Sequence, residues 1–345
     1  MKLNLLITTY IESEYVQIIR DTDSKINVIY RPDIIHTPRF PSDHTGIPQQ
    51  ENLKNNKEWE KYLYNADILF DFDRSVDPNL DKYAPNVKWI QATSAGIGKY
   101  LNKNEYINKM PQTIFTTASG VHSKPLSEFC IMAILMFNKN FLKAKSLKQQ
   151  KVWERFSNKD LYNNNVLIFG VGQIGKEVAK YCKNFGMNVY GIKKNINNLK
   201  AKDFNLDKLY NSSELNKIIN LIDYLILIAP ATKDTNNIIN HKIFSKMKND
   251  SIVINISRGS LINEKDLLHA LDNKLIAGAA LDVFANEPLN KKSPFWNYDN
   301  VIIYPHSAST TYKENERITN IFCKNIKLFL KGKPLINQFN SEKGY

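Results

Sequence analysis

The stretch Val166-Leu-Ile-Phe-Gly-Val-Gly-Gln-Ile-Gly-Lys176 decides the fold of this chain. An apolar run of strand formers ends at Gly170, and from Ile174 the apolar residues follow helical spacing. In a Gly-x-Gly-x-x-Gly turn, the first glycine permits the tight turn, the second lets a pyrophosphate approach the backbone, and the third lets the helix pack on the strand. A second strand, 188–192, follows at βαβ distance. The pattern predicts a dinucleotide site, and the alternative is an ordinary strand-to-helix turn.

The composition bounds the possible classes of protein. A chain of 345 residues with 43% hydrophobic content is long enough for two globular domains. The net charge of +13 could indicate a nucleic-acid partner, but the lysines are scattered among Asn and Ile, so we expect none. No stretch has the length of a membrane span, and we expect no membrane contact. Three separated cysteines indicate free thiols in a reducing compartment, which predicts a cytoplasmic protein.

Strands and helices alternate along the chain, which predicts parallel sheets. The first half has predicted strands at 3–8, 26–30, 66–70 and 87–91, and the second half at 166–169, 188–192, 223–230, 251–255, 276–281 and 301–304. A single long helix is predicted from Ser123 to about Lys151, and its apolar character is typical of a core or of a homodimer interface. The proline-rich segment 31–48 is predicted to be an irregular loop. Its two histidines, His36 and His44, have no suitably spaced third ligand, so we expect no metal.

Polar or glycine-rich features follow several of these strands. Because ligands bind beyond the carboxyl ends of parallel strands, these features should share one edge of a sheet. They are Thr93–Ile97, Gly170–Gly175, Arg258, Asp282 with Glu287, and His306. An arginine can grip a carboxylate and polarise an adjacent carbonyl, and a histidine beside a carboxylate can donate a proton near neutrality. Taken singly, Arg258 is also explained as a surface cation, Glu287 as a turn residue and His306 as a structural histidine. Together they predict acid–base chemistry on an anionic substrate.

Several longer motifs support a family resemblance. Asn255-Ile-Ser-Arg-Gly-Ser-Leu-Ile-Asn-Glu264, Gly278-Ala-Ala-Leu-Asp-Val-Phe-Ala-Asn-Glu-Pro-Leu289 and Tyr304-Pro-His-Ser-Ala-Ser-Thr310 resemble motifs of the D-isomer-specific 2-hydroxyacid dehydrogenases. So do Trp89-Ile-Gln-Ala-Thr-Ser-Ala-Gly-Ile97 and Ser119-Gly-Val-His-Ser-Lys-Pro-Leu-Ser-Glu128. The likeness extends over nearly the whole chain, to Gly332-Lys-Pro-Leu-Ile-Asn337. One departure is Gly98 followed by Lys99, where the family often has an aspartate.

The resemblance implies an activity and assigns roles. The chain would reduce a small 2-keto acid to a D-2-hydroxy acid, as a broad 2-keto-acid reductase or one similar to glyoxylate/hydroxypyruvate reductases. Arg258 would bind the substrate carboxylate and carbonyl, His306 would be the general acid/base, and Glu287 would be the partner of the histidine. Backbone N–H groups of Ala95, Gly96 and Ile97, after Ser94, would hold the carboxylate, and Asp282 would face the nicotinamide. The alternative is a non-catalytic, dinucleotide-sensing protein of the corepressor kind on the same scaffold.

The expected fold is α/β with two doubly wound parallel-sheet domains and an interdomain cleft. A flavodoxin-like substrate domain would comprise 1–118 and 311–345, and a Rossmann domain would comprise 119–310. The predicted cofactor-binding residues are Gly170, Gly172, Gln173, Ile174, Gly175, Lys193, Lys194, Asn195, Ala229, Pro230, Ile256, Ser257, Arg258, Asp282, His306 and Ala308.

The end of the second Rossmann strand indicates which cofactor is used. Enzymes that prefer NAD usually carry an Asp or Glu there, which accepts hydrogen bonds from the ribose 2′-hydroxyl. This chain instead continues Lys193-Lys194-Asn195, without a carboxylate in the turn. Two cations and an amide favour a 2′-phosphate, so we expect NADP, with NAD as the other possibility. The alternative is that both lysines are ordinary solvated cations. The sequence does not name the keto acid.

Overall fold

The computed structural model describes residues 2–47 and 56–341. The chain forms two compact units: unit 1 is Met1–His122 with Thr310–Tyr345, and unit 2 is Ser123–Ser309. The sequence had suggested boundaries at 118/119 and 310/311. Pro48 of the predicted loop, Met1 and residues 342–345 lie outside the described residues.

The elements alternate along the chain as the sequence predicts. The strands are β1 (Leu3–Ile7), β2 (Ile26–Tyr30), β3 (Ile68–Phe70), β4 (Trp89–Gln91), β5 (Ile114–Thr116), β6 (Asn165–Phe169), β7 (Asn188–Lys193), β8 (Lys208–Asn211), β9 (Tyr224–Leu227), β10 (Ile252–Asn255), β11 (Gly278–Leu281) and β12 (Val301–Ile303). The α-helices are α1 (Ser13–Arg20), α2 (Lys57–Tyr64), α3 (Leu80–Tyr83), α4 (Gly98–Asn104), α5 (Tyr106–Lys109), α6 (Ser123–Asn138), α7 (Phe141–Gln150), α8 (Gln173–Asn184), α9 (Leu215–Ile218), α10 (His241–Phe244), α11 (Glu264–Asp272) and α12 (Glu314–Phe329).

Unit 1 contains a parallel sheet in the order β2-β1-β3-β4-β5, the flavodoxin-like order. Its central strands are apolar on both faces because helices cover both sides of the sheet, and Leu5, Leu6 and Ile7 are fully buried. Helix α12 belongs to this unit, since the Phe322 ring lies 4.9 Å from Phe70 and 5.0 Å from Trp89, centroid to centroid. Unit 1 is therefore built from two separate segments of the chain.

Unit 2 contains a parallel sheet in the order β12-β11-β10-β9-β6-β7-β8. Numbered from β6, its first six strands follow the Rossmann order 3-2-1-4-5-6, with β12 added at the edge. Two buried apolar clusters line the sheet, and its central strands β9 and β10 are buried throughout. The predicted α/β fold with two parallel sheets is confirmed.

The prediction of one helix from Ser123 to about Lys151 is wrong. The chain forms α6 and α7, which are separated at Asn140, where φ is +49°. Asparagine tolerates this left-handed conformation better than most residues, and it ends the helical path. Helix α6 buries Leu126, Phe129 and Ile134 in the core of unit 2, whereas α7 has no buried residue. The apolar character of α6 is thus largely explained by packing within its own unit.

Two short strands were not predicted. Strand β5 has three residues, and β8 is a four-residue edge strand, so neither shows a clear apolar pattern.

Across residues 2–47 and 56–341, no helix is long and apolar enough to cross a membrane. Cys130, Cys182 and Cys323 are free thiols, as the sequence indicated.

Candidate active site

The glycine-rich turn joins β6 to α8 at the carboxyl edge of the unit 2 sheet. Gly170 has φ of +107°, and a Cβ there would lie 2.4 Å from the backbone nitrogen of Ala229. A Cβ on Gly175 would lie 3.0 Å from the carbonyl oxygen of Gly170. In contrast, a Cβ placed on Gly172, the N-cap of α8, would meet no atom within 4 Å among the described residues beyond its two chain neighbours. The turn is therefore tight where strand and helix meet, and its backbone is open where a pyrophosphate would approach.

Other residues predicted to bind the cofactor follow the neighbouring strands. Ala229 and Pro230 come after β9, and Ala229 packs against Gly170. Ile256 and Ser257 come after β10, and the Ser257 hydroxyl donates a short hydrogen bond to the carbonyl of Ala229. An open hollow of about 510 Å³ adjoins them, lined by Ala231, Thr232, Lys233, Asn236 and Ser260. The structure thus places these residues beside one another at the edge that carries the glycine-rich turn.

The loop that carries Arg258 is held by buried groups. The side chain of Asn255, which is fully buried, donates to the Arg258 carbonyl at 3.0 Å and accepts from the Ser257 N–H at 3.1 Å. After Arg258, a Cβ on Gly259 would lie 1.9 Å from the carbonyl carbon of Phe284. The Arg258 side chain is exposed, and its Nη1 donates to the Ser257 carbonyl at 2.6 Å. The backbone around Arg258 is therefore held in place, and its exposed guanidinium lies next to the segment that leads to Glu287.

His306 and Glu287 form a direct pair. His306 Nδ1 lies 2.7 Å from Glu287 Oε2, and Glu287 Oε1 accepts from the Phe284 N–H at 2.9 Å. In a neutral imidazole, a proton on Nδ1 would donate to this carboxylate and would leave Nε2 as the second, unprotonated ring nitrogen. In the part of the chain that the structure describes, Nε2 makes no hydrogen bond. His306 has φ of +54°, a conformation that needs support from its surroundings.

Asp282 supplies that support. Its carboxylate is buried, and Oδ1 accepts from the N–H groups of Ser307 at 2.9 Å and Ala308 at 3.0 Å. The backbone N–H of His306 also donates to the Asp282 carbonyl at 2.9 Å. Burial raises the pKa of the Asp282 carboxyl, against the lowering effect of those hydrogen bonds and of His306. Asp282 therefore holds the loop that carries His306.

The two lysines after β7 have different surroundings. Lys193 Nζ donates to the Val171 carbonyl in the glycine-rich turn at 2.8 Å, and lies 5.4 Å from the centre of the Phe204 ring. Lys194 is exposed and forms a salt bridge of 2.7 Å with Asp234. Asn195 is exposed beside it. The turn itself has no carboxylate, but the fold brings Asp234 from a distant loop to Lys194.

In unit 1, the segment 94–97 follows β4 and precedes α4. Within residues 2–47 and 56–341, the N–H groups of Ala95, Gly96 and Ile97 donate no hydrogen bond. Asp71 anchors the start of the segment, because its carboxylate accepts from the Thr93 hydroxyl at 3.0 Å and the Thr93 N–H at 3.3 Å. Three neighbouring N–H donors without a protein partner can bind an anion.

The structure adds three supporting residues that the sequence did not reveal. Asn255 and Asp71 position the two predicted segments, and Asp234 pairs with Lys194. Asn255 ends the buried strand β10 as Asp282 follows the buried strand β11, so a polar residue at the end of an apolar strand was an available signal. The contacts of Asp71 and Asp234 depend on the fold and had no local signal.

Arg258, Glu287 and His306 follow β10, β11 and β12, three adjacent parallel strands, so they lie at one edge. This set can bind a carboxylate and exchange a proton.

The chain is similar to several known proteins. Residues 131–308 match the family model described as D-isomer specific 2-hydroxyacid dehydrogenase, NAD binding domain. A D-3-phosphoglycerate dehydrogenase of Methanocaldococcus jannaschii is 31% identical over 86% of this chain, which spans 54% of that relative. The structure of a D-isomer specific 2-hydroxyacid dehydrogenase family protein from Aeromonas salmonicida has a TM-score of 0.80 and 25% identity, covering 99% of this chain and 100% of the other. An NADPH-dependent glyoxylate/hydroxypyruvate reductase from Sinorhizobium meliloti, in complex with NADP and sulfate, has a TM-score of 0.77 and 22% identity, with 100% of each chain covered.

Proposed function

Because the chain belongs to the D-isomer specific 2-hydroxyacid dehydrogenase family, we propose that it reduces a small 2-keto acid to the D-2-hydroxy acid, with NADPH as the preferred cofactor. The observation that carries this proposal is the His306–Glu287 pair, 2.7 Å apart, at the same sheet edge as Arg258. A proton donor and a carboxylate-binding cation are the two groups that reduction of a keto acid needs from the protein.

Each residue has a defined task in this proposal. The Arg258 guanidinium binds the substrate carboxylate and polarises the C2 carbonyl through charge-assisted hydrogen bonds. His306 donates a proton from Nε2 to the carbonyl oxygen, and in the reverse direction Nε2 removes the hydroxyl proton. Glu287 holds the imidazole by Nδ1 and stabilises its protonated form. In unit 1, the N–H groups of Ala95, Gly96 and Ile97 are proposed as donors to a substrate carboxylate.

The glycine-rich turn fits a dinucleotide. Gly172 leaves the backbone open, and the first N–H groups of α8, from Gln173 and Ile174, have no partner within the helix and can face a phosphate. Ala229, Pro230, Ile256 and Ser257 would border the dinucleotide at the adjacent strand ends. When bound, the nicotinamide supplies the hydride for C2, while the chain supplies placement and the proton.

An absorbance assay tests the proposal. Purified protein is mixed with NADPH or NADH and, in turn, glyoxylate, hydroxypyruvate, pyruvate and phenylpyruvate, and the decrease at 340 nm is recorded. We expect turnover with at least one acid. Thermal stabilisation by the cofactor without any turnover would instead support the dinucleotide-sensing alternative. The panel also identifies the substrate, which the family alone leaves open.

The Glu287→Gln substitution should change the pH dependence of reduction. The amide is nearly isosteric but does not stabilise the imidazolium, and reduction requires protonated His306. We expect kcat/KM of the variant to fall on the alkaline side at a lower pH than that of the unmodified protein. Glu264→Gln is the matched control, because Glu264 also binds a backbone N–H of the segment before Glu287, that of Ala285, but does not contact His306. An unmoved profile, together with an active His306→Gln protein, would contradict both assignments.

The cofactor preference should depend on the lysines after β7. We expect kcat/KM for NADPH to exceed that for NADH at least about tenfold, which corresponds to roughly 1.4 kcal/mol. Changing Lys193 and Lys194 together to alanine should raise the KM for NADPH and leave that for NADH nearly unchanged. Higher ionic strength should weaken NADPH binding more than NADH binding, because the 2′-phosphate carries extra charge.

Two further variants separate charge from turn structure. Lys193 also binds the Val171 carbonyl, so Lys194→Ala alone tests the charge without disturbing the glycine-rich turn. Removing the opposing carboxylate by Asp234→Asn should increase the preference for NADPH. Equal kcat/KM for the two cofactors in the unmodified protein would refute the assignment.

We also propose a homodimer located in the cytoplasm. Met132, Leu135 and Met136 of α6 are only partly buried within unit 2 and would extend an apolar surface toward a second copy. Light scattering of the purified protein measures the assembly directly. A monomeric mass across the concentration range would exclude the dimer.

A further inference from the structure

The Ser257 hydroxyl donates its proton to a protein acceptor. A serine side chain has one O–H group to donate. In Ser257 this group donates to the carbonyl of Ala229, and the residue is buried, with 7% of its surface exposed. The sequence predicted that Ser257 binds the cofactor. Because its donor is used within unit 2, the geometry favours a role for this side chain inside the protein.

The acceptor of this bond is a fixed point of unit 2. Ala229 follows β9, and its N–H donates to the Phe169 carbonyl at the end of β6, at 2.9 Å. Ala229 also packs closely on the glycine-rich turn, since a Cβ on Gly170 would lie 2.4 Å from its nitrogen. The hydrogen bond from Ser257 therefore ties the loop after β10 to backbone that is held independently.

The backbone of Ser257 is bound to the side chain of Arg258. The Ser257 N–H donates to Asn255 Oδ1 at 3.1 Å, and the Ser257 carbonyl accepts from Arg258 Nη1 at 2.6 Å. Asn255 thus holds the loop from its own strand, β10, whereas the Ser257 hydroxyl holds it from the neighbouring parallel strand, β9. The carbonyl that orients the guanidinium belongs to the residue that both bonds hold.

We propose that Ser257 is a positioning residue for Arg258, because its hydroxyl anchors the carbonyl on which the guanidinium is oriented. Without the hydroxyl, the bond across to β9 is lost, and the guanidinium loses part of its alignment with a substrate carboxylate. The inference rests on the proposed function, because that function assigns Arg258 to the keto acid. The expected effect is therefore on the keto acid and not on the dinucleotide.

The Ser257→Ala substitution tests this role. For the best keto acid of the panel, kcat/KM should fall about fivefold, mainly through KM, which corresponds to the roughly 1 kcal/mol of a typical hydrogen bond. The Kd of NADPH, measured by fluorescence titration without keto acid, should stay within a factor of two. Ser127→Ala is the matched control, since Ser127 is a buried serine of α6 whose hydroxyl donates to the Ser123 carbonyl at 2.7 Å. It should leave kcat/KM unchanged.

A double-mutant cycle separates positioning from a general structural effect. In the Arg258→Lys background, adding Ser257→Ala should lower kcat/KM less than twofold, because the hydroxyl acts through the guanidinium that lysine lacks. A fivefold loss in both backgrounds would show that the hydroxyl acts independently of Arg258 and would overturn the inference.

The remaining outcomes distinguish the inference from the proposed function. A loss confined to the keto acid, and absent from the Arg258→Lys background, supports the inference. If the unmodified protein turns over a keto acid but Ser257→Ala has the same kcat/KM, or binds NADPH more weakly by the same factor, the inference alone is overturned. No turnover of any acid of the panel by the unmodified protein overturns the proposed function and the inference together.

Discussion

Replacing Arg258 with lysine should lower kcat/KM for keto-acid reduction at least about a hundredfold, a loss of roughly 3 kcal/mol of transition-state binding. Lysine keeps the positive charge but has a single ammonium group in place of a planar fork. The fork matters here because one of its nitrogens, Nη1, is already bound to the Ser257 carbonyl, which orients the remaining donors. An ammonium group cannot hold that carbonyl and grip a carboxylate with two parallel hydrogen bonds.

Steady-state kinetics with the best substrate measure this loss. Arg20→Lys is the matched control, because Arg20 is an exposed arginine in the last turn of α1 and lies outside the proposed site. Its kcat/KM should stay at the level of the unmodified protein. If Arg258→Lys retains activity within a factor of three, Arg258 does not bind the substrate as proposed.

Replacing Gly259 with alanine should destabilise unit 2 by about 4 kcal/mol or more. The added methyl group would clash with backbone atoms, which cannot rotate away as a side chain can, so the loss of stability exceeds that of an ordinary overpacking substitution. The added Cβ would lie 1.9 Å from the carbonyl carbon of Phe284 and 2.2 Å from the nitrogen of Ala285. Both contacts are backbone atoms. The loop of Arg258 and the segment leading to Glu287 would have to move apart, so activity should be lost as well.

Thermal unfolding measures the effect, with an expected fall in Tm of roughly 10 °C. Gly172→Ala is the control for stability, because in residues 2–47 and 56–341 its Cβ would meet no atom within 4 Å apart from its chain neighbours, and its φ of −120° suits alanine. Its Tm in the absence of cofactor should change little. A decrease below about 2 °C for Gly259→Ala would show that the two segments can separate at little cost.

The sequence was most informative where local chemistry decides structure. The glycine-rich turn between strand and helix predicted the Rossmann unit, and polar residues after apolar runs predicted which positions share a sheet edge. The roles given to Arg258, Glu287 and His306 stay predictions, although the fold places Glu287 and His306 in contact. The resemblance to the 2-hydroxyacid dehydrogenases is confirmed by the family match.

The sequence was uninformative where long-range contacts decide. Asp234 is forty residues from Lys194, so no local pattern announced their salt bridge. Asp71 holds Thr93 across adjacent strands for the same reason. The break at Asn140 was missed because apolar spacing continues through it, and a single left-handed residue leaves little trace in periodicity. Short strands such as β5 contain too few residues to show alternation.

The insertion of unit 2 within unit 1 has a consequence for folding during synthesis. The ribosome completes all of Ser123–Ser309 before it makes α12, and chains grow by about 5–20 residues per second. Until α12 emerges, Phe70 and Trp89 lack the Phe322 ring that packs against them. Unit 2 can therefore complete its core first. Unit 1 is begun earlier, but part of its apolar surface stays exposed until α12 packs against it. Unit 1 is thus begun before unit 2 and completed after it, and in that interval it depends most on protection from aggregation.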